Sequence, residues 1–362
     1  MTGARKAKKK RVVVAMSGGV DSSVAAALLK NEGYDVIAMT MCFNLADTEK
    51  KKPNCCGPQG IKDARAIADI LGIRHYVLNM QPHLEKYVID NFCQEYLKGR
   101  TPNPCVRCNQ YLKFEVLLKK ALAQEAQYLA TGHYAGISKC RKGYALEKAK
   151  DKIKDQSYFL YRLNQEQLKH VLFPLANYTK QEVRKFAVEF KLPVAEKLAS
   201  QEICFLPALD YRKFLQSRFK GGFQPGPIVD KEGNLLGQHK GVAFYTIGQR
   251  QGLGIARGYP VYIIAINPQT NEITVGKKED AYSLEFIIGQ PHFILKPLPK
   301  KKIAVKVRIR YNHNEAAAQI FPLGRMLRVK FKQPQFAITC GQSAVFYQKD
   351  KVLGGGVIDA VL

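Results

Sequence analysis

The chain has 362 residues, 46% of them hydrophobic, and carries 57 Lys and Arg against 30 Asp and Glu, a formal net charge of +27. The length predicts two or three domains with real cores. The composition argues against a membrane helix, which needs roughly 18 apolar residues in a row, and the basic start MTGARKAKKKR lacks the apolar stretch of a secretory signal. Nine cysteines without such a signal point to thiol, metal or redox chemistry rather than a disulfide scaffold. The expectation is a soluble cytoplasmic protein with no membrane partner, and the excess positive charge suits a polyanion, most simply nucleic acid.

The first half alternates strand and helix signals. Val12–Met16 is an apolar, β-branched run that reads as a buried strand, Val20–Asn31 as a helix and Asp35–Met41 as a strand. Ile61–Leu71 reads as a helix ended by Gly72, Arg74–Leu78 as a strand, Leu84–Leu97 and Phe114–Gln127 as helices, and Tyr128–Thr131 as a strand. This pattern predicts an α/β fold with a doubly wound, mostly parallel sheet. Ligands of such sheets sit beyond the carboxyl ends of the strands, so the loops at Ser17, Met41 and Gly132 are expected to share one pocket. Helical, charged sequence continues through Gln165–Lys191 to about Lys220. Gly221, Gly222, Pro225, Gly226 and Pro227 then mark a boundary. Beyond it, Val261–Ile266, Ile273–Val275, Ile303–Ile309, Met326–Phe331 and Ala344–Tyr347 are short strand-like runs between turn residues. They predict a small central β domain followed by a C-terminal β-barrel or sandwich, with Pro291–Lys302 as a linker region. The expected domains are 1–220, 221–290 and 291–362.

Residues 11–24, RVVVAMSGGVDSSV, carry the first chemical signal. Strand, glycine turn and helix start follow one another, and such a junction offers free backbone N–H groups and a helix dipole to a phosphate. The sequence is neither a Walker loop nor a dinucleotide GxGxxG motif. It resembles the pyrophosphate loop (PP-loop) of enzymes that split ATP between the α and β phosphates and place AMP on an oxygen of the substrate.

The second signal is GRTPNPCVRCNQYLKF at Gly99–Phe114, with Cys105 and Cys108, joined by Cys204 in SQEICF. Two prolines and an Asn predict an extended, constrained loop with the two cysteines just before a helix. A helix N-terminus and Arg107 would lower a thiol pKa there. Spacing alone leaves zinc, an iron–sulfur cluster and a redox dithiol open.

Together these elements resemble the tRNA-specific 2-thiouridylases, the MnmA/TrmU family, nearly end to end. The resemblance rests on SGGVDSSV, CCGPQGIKDARAIADILGI, GRTPNPCVRCN, ATGHYA, KDQSYFLYRL, SQEICF, YTIGQRQGLGI, ITCGQSAVFY and LGGGVI. It implies an adenine nucleotide hydrolase-like PP-loop domain, a small β domain and a C-terminal barrel. It also implies a reaction: ATP adenylates the C2 carbonyl oxygen of the wobble uridine, pyrophosphate leaves, and an enzyme-borne sulfur displaces AMP. Cys108 would be the catalytic nucleophile and Cys204 the persulfide carrier. ATP and its Mg²⁺ would lie against Ala15, Met16, Ser17, Gly18, Gly19, Val20, Asp21, Ser22, Met41 and Gly132. The anticodon loop of tRNA would meet Asn103, Pro104, Cys105, His133, Lys154, Asp155, Gln156, Arg308, Arg310, Tyr311 and Gln342. Arg308 and Arg310 alternate with apolar residues, which predicts one shared strand face. A sulfur donor, such as a cysteine desulfurase or a sulfur-relay protein, is an implied partner. In many members Asp stands where this chain has Cys105. A third thiol opens a second sulfur route, in which Cys105, Cys108 and Cys204 hold a 4Fe–4S cluster with one iron open to sulfide. A small-molecule PP-loop ligase and a non-catalytic RNA-binding protein are the rival readings; the net charge and the intact loop with its thiols speak against them.

Overall fold

The computed structural model describes residues 9–43, 57–197, 203–206 and 210–362. Cys55, Cys56 and the first residues of SQEICF lie outside these ranges. The chain divides into two compact units, Met1–Glu85 with Arg107–Phe205, and Lys86–Val106 with Leu206–Leu362.

The elements in chain order are β1 (Arg11–Ala15), α1 (Val20–Asn31), β2 (Asp35–Cys42), α2 (Pro58–Ile70) and β3 (Arg74–Asn79). A helical run follows: α3 (Gln81–Leu84), a π-helical turn Glu85–Ile89, and α4 (Asp90–Leu97). Next come α5 (Pro104–Arg107), a π-helical stretch Cys108–Leu117, α6 (Leu118–Ala123), β4 (Tyr128–Thr131), β5 (Ala135–Cys140) and β6 (Gly143–Lys148). α7 (Gln165–Lys169), β7 (Val171–Leu172), α8 (Lys180–Glu189) and α9 (Tyr211–Arg218) close the helical part.

The first unit is built on a five-stranded sheet of order β3-β2-β1-β4-β7, with every pairing parallel. β1 is central, and its Val12, Val13 and Val14 are fully buried. A strand covered on both faces must be apolar at successive positions, which is why this one was legible as a run rather than an alternation. Val24, Ala25 and Ala26 of α1 pack on it with Ile67 and Ala68 of α2, and Val183 and Ala187 of α8 complete that core. The long helical reading of Gln165–Lys191 is corrected: the strand β7 and a turn divide it. A capping box in which Thr179 Oγ1 and the Glu182 carboxylate satisfy each other's backbone N–H restarts the helix at Lys180. The β5–β6 hairpin was not anticipated; its turn-bounded strands are short and partly polar.

In the second unit, β8 (Gly226–Val229), β9 (Leu235–His239), β10 (Tyr262–Asn267) and β11 (Glu272–Gly276) make a four-stranded sheet of order β10-β11-β8-β9. β12 (Tyr282–Phe293), β13 (Ile303–Arg308), β14 (Ala316–Leu323), β15 (Met326–Phe336), β16 (Ser343–Gln348) and β17 (Lys351–Val361) follow. They run in the order β12-β15-β14-β13-β16-β17, and β17 pairs back onto β12, so the sheet closes into an antiparallel barrel. Closure leaves no free edge. Phe286, Ile288, Val307, Ile320, Val329 and Phe346 fill its interior. Two expectations change here. Pro291 belongs to β12, where a bulge between Gly289 and His292 accommodates it, so the linker is shorter than Pro291–Lys302. Arg310 lies beyond the end of β13, so it shares no strand face with Arg308.

The second unit also fixes the loop before α5. Thr101 N donates to Cys340 O at 2.9 Å, and Gln342 Nε2 donates to Thr101 O at 3.1 Å and Pro102 O at 3.3 Å. Gly341 has φ +90°, and a Cβ there would stand 2.9 Å from the Thr101 backbone N and O. Arg100 adds ion pairs to Glu95 at 2.8 Å and Asp359 at 3.0 Å. Gly341→Ala is expected to destabilise this unit by about 1–3 kcal/mol, from left-handed strain plus the backbone clash. A urea midpoint equal to wild type, followed by circular dichroism, would count against this account.

Candidate functional site

The parallel order sets the carboxyl ends of β2, β1 and β4 side by side. Met41 lies at the end of β2, and Ser17 and Gly132 follow β1 and β4. The cap of α1 is Gly19, in extended conformation and with no side-chain capping bond. The first-turn N–H groups of Val20, Asp21 and Ser22 therefore have no side-chain oxygen to satisfy them, the condition for holding an anion. The loop hydroxyls turn inward instead. Ser22 Oγ accepts from Ser17 N at 3.2 Å and donates to Gly19 O at 3.2 Å, and Ser23 Oγ donates to the same carbonyl at 2.8 Å. These bonds shape the loop and occupy the Ser17 amide, but not those of Val20, Asp21 and Ser22.

Gly132 closes the site from the β4 side. A Cβ on it would lie 2.7 Å from Asp21 C and Ser22 N, so only glycine allows this approach of two backbones. Ala15, Met16, Gly18 and Val20 supply backbone to the loop; Met16 and Val20 side chains are buried. Met41 is also buried, which leaves its backbone as the part at the strand end.

Asp21 projects from the first turn of α1. Its Oδ1 accepts from Tyr134 Oη at 2.7 Å and from Lys180 Nζ at 2.6 Å, while Oδ2 has no recorded donor among the described residues. Burial first, then the Asp21 charge, pushes the Tyr134 hydroxyl pKa upward, so it stays a donor. On the other flank, Lys197 Nζ donates to Gly18 O at 3.0 Å and pairs with Asp63 Oδ2 at 2.5 Å. Sequence reasoning missed Tyr134, Lys180, Lys197 and Asp63. A lone Lys in a basic chain carries no local signal; only the sheet brings residues far apart in sequence onto one loop.

The cysteine segment departs from expectation. The helix does not wait until Phe114: Asn103 Oδ1 accepts from Val106 N at 3.2 Å, Pro104 takes the first helical position, and both thiols are already helical. Cys105 lies in the first turn and Cys108 opens the π-helical stretch. π-Helical geometry is rare and gathers at functional sites. Cys105, Cys108 and Cys204 are each partly exposed. Among the described residues no three His, Cys, Asp or Glu side chains stand where they would hold one metal ion.

His133, expected to meet tRNA, is buried between Phe114 and Phe173. Lys113 Nζ stands 3.4 Å from its Nε2, and Thr131 Oγ1 is 2.7 Å from Nδ1. A lysine can only donate, so Nε2 accepts and the ring proton sits on Nδ1. Asp155 is likewise buried; it accepts from Ala149 N and from the Ser157 N and Oγ. Gln156 Oε1 accepts from Tyr134 N at 3.0 Å. Both side chains therefore shape the segment; Lys154, beside them, is half-buried. In the second unit, Gln342 is spent on the Thr101–Pro102 carbonyls, Arg308 pairs with Glu315 at 3.5 Å, and Arg310 donates to Phe336 O at 3.1 Å. Tyr311 is half-buried in the turn after β13.

Comparison with known proteins now bears on this geometry. Residues 10–208 match the domain family described as tRNA methyl transferase HUP domain, 212–277 its PRC-barrel domain, and 283–358 the aminomethyltransferase beta-barrel domain. A tRNA-specific 2-thiouridylase MnmA 1 of Syntrophus aciditrophicus is 49% identical over 98% of this chain and 94% of its own length. Enzymes named tRNA-specific 2-thiouridylase MnmA from Halothermothrix orenii and Moorella thermoacetica are each 49% identical over 96% of this chain, covering 98% and 99% of their own lengths. The chain belongs to the tRNA-specific 2-thiouridylase family. The domain description speaks of methyl transfer and the relatives of thiolation.

Burial, with Lys113 beside it, lowers the His133 pKa well below its ordinary 6.5. The folded state then excludes a proton that the unfolded state takes up below that value, so this group costs stability as pH falls below about 6.5, by about 1.4 kcal/mol per unit. Urea midpoints measured between pH 7.5 and 5.5 are expected to fall less steeply in His133→Gln than in wild type. Parallel curves would show that His133 is not the responsible group.

Proposed function

We propose that the chain is a tRNA-uridine 2-sulfurtransferase that uses ATP to thiolate the wobble uridine. The observation that carries this reading is the uncapped start of α1, closed by Gly132 and set in the same compact unit as Cys108 and Cys204. The first-turn amides take the phosphates of ATP, with the adenine against the Met41 backbone. Asp21 Oδ2, partly exposed and without a recorded donor among the described residues, suits a Mg²⁺ ligand, and such an ion would shield phosphate charge. The uracil C2 oxygen attacks the α-phosphorus and pyrophosphate departs. This turns a poor leaving group, a carbonyl oxygen, into a good one.

Sulfur then arrives as a persulfide on Cys204, loaded by a donor such as a cysteine desulfurase or sulfur-relay protein. Its terminal sulfur bonds to C2 and AMP leaves. The Cys108 thiolate next attacks Cys204 Sγ, breaking the sulfur–sulfur bond. This releases 2-thiouridine and leaves a Cys108–Cys204 disulfide, which a cellular thiol must reduce. We assign no step to an iron–sulfur cluster. The uridine must leave its stack to reach ATP, and an anticodon loop makes that least costly. Lys154, with Asn103, Pro104, Cys105 and the Arg308–Tyr311 region, forms the proposed tRNA contacts. The proposed division of labour is ATP chemistry, sulfur transfer and the contacts of Asn103, Pro104, Cys105 and Lys154 with the anticodon loop in 1–220, and further tRNA grip in 221–290 and 291–362. Among the described residues no helix is long and apolar enough to cross a membrane.

The test incubates protein with unmodified tRNA, ATP and a persulfide donor, then digests the RNA and measures 2-thiouridine. Cys108→Ser and Cys204→Ser are each expected to lose thiolation while keeping ATP binding. ATP cleavage by wild type without thiolated tRNA would refute the reading. Cys105→Ala separates the sulfur routes: retained thiolation fits the persulfide, whereas loss of activity together with a Mössbauer signal from anaerobically reconstituted wild type would replace it with a cluster. Gly132→Ala is expected to reduce ATP affinity at least tenfold, because its methyl displaces the α1 backbone; unchanged binding in a titration would contradict the site geometry.

A further inference from the structure

We propose that Lys180 is the phosphate-binding cation of the nucleotide site, held on Asp21 until the triphosphate arrives; the inference rests on the reading of the loop as an ATP site. The first argument is an omission. Ser17–Ser23 contains no Lys or Arg, whereas a Walker loop carries its own phosphate lysine. Amides and a dipole alone must then face a highly charged triphosphate, unless a cation enters from another element.

Two lysines reach the loop. Lys197 is engaged twice, by Gly18 O and Asp63 Oδ2, and these bonds hold the side of the loop toward α2. Lys180 reaches the first turn of α1 itself, where the uncapped amides are. Its Nζ lies 2.6 Å from Asp21 Oδ1 and 6.0 Å from the centre of the Tyr134 ring. Its base is rigid: it is the first residue of α8, Lys180 N donates to Asp151 Oδ2 at 2.9 Å, and the Thr179–Glu182 capping box fixes the helix start. Only the aliphatic stem and the ammonium need to move.

The pairing itself favours release. Lys180 shares Asp21 Oδ1 with the Tyr134 hydroxyl, so the carboxylate keeps a donor when the ammonium swings away. The Lys180 side chain is 16% exposed and Asp21 32%, so the pair is neither sealed in the core nor free in solvent. A compact, flexible ammonium suits transfer from one oxyanion to another over a short distance.

Titration calorimetry on the full chain tests this with two probes, ATP in MgCl₂ and adenosine, which has no phosphate. Lys180→Gln is expected to weaken ATP at least tenfold and leave adenosine within twofold, and Lys180→Arg to restore most of the ATP affinity. Equal weakening of both ligands in a variant with wild-type circular dichroism would make Lys180 structural and overturn the inference. So would ATP affinity in Lys180→Gln equal to wild type. Failure of wild type itself to bind ATP would instead remove the nucleotide reading on which the inference stands.

Discussion

A helix that starts without a cap governs the first unit. Gly19 gives α1 no side-chain oxygen, so its leading amides stay unsatisfied where a buried parallel strand ends. Such amides need an acceptor, and the fold supplies none among the described contacts. The surroundings preserve the vacancy. Ser22 and Ser23 donate to Gly19 O, Gly132 approaches without a side chain, and Asp21 is drawn onto Tyr134 and Lys180. Each of these could have capped or crowded the helix start, and each is turned away from it.

The same arrangement explains why several polar residues of the Ala130–Ala135 and Lys154–Leu163 motifs face inward. Asp155 organises three donors around the turn before Ser157, and Gln156 holds Tyr134, which in turn holds Asp21. A line of hydrogen bonds thus joins the KDQSYFL segment to the first turn of α1. His133 fills an aromatic slot beside Gly132 with its tautomer set by Lys113. These residues support the site through their neighbours. In the second unit Gln342 does the equivalent for the loop ahead of α5, by gripping the carbonyls of Thr101 and Pro102.

The cysteine segment shows how helix geometry partitions chemistry. Asn103 and Pro104 start the helix earlier than a Pro-rich stretch suggests, because Asn at the cap and Pro at the first position are both favourable. Cys105 and Cys108 then lie on successive turns, with the compact units dividing between Val106 and Arg107. Proximity in sequence made the two thiols look like one metal-binding pair.

Much was legible in the chain itself. The run Val12–Met16, the glycines after it and the alternation up to Thr131 determined a parallel sheet with a glycine loop at the carboxyl end of its central strand, because full burial of a strand and close backbone approach leave plain marks on residue choice. The β-rich second half was equally readable from turn residues. Three things were not. Barrel closure depends on β17 meeting β12, a pairing that no local pattern encodes. The inward turn of Asp155, His133 and Gln342 depends on which neighbours the fold brings near, since a polar residue looks the same in sequence whether it faces water or a buried amide. The assembly of Tyr134, Lys180 and Lys197 around one loop was decided by tertiary structure alone, because a cation's role is set by the charge it meets in space and not by its neighbours along the chain.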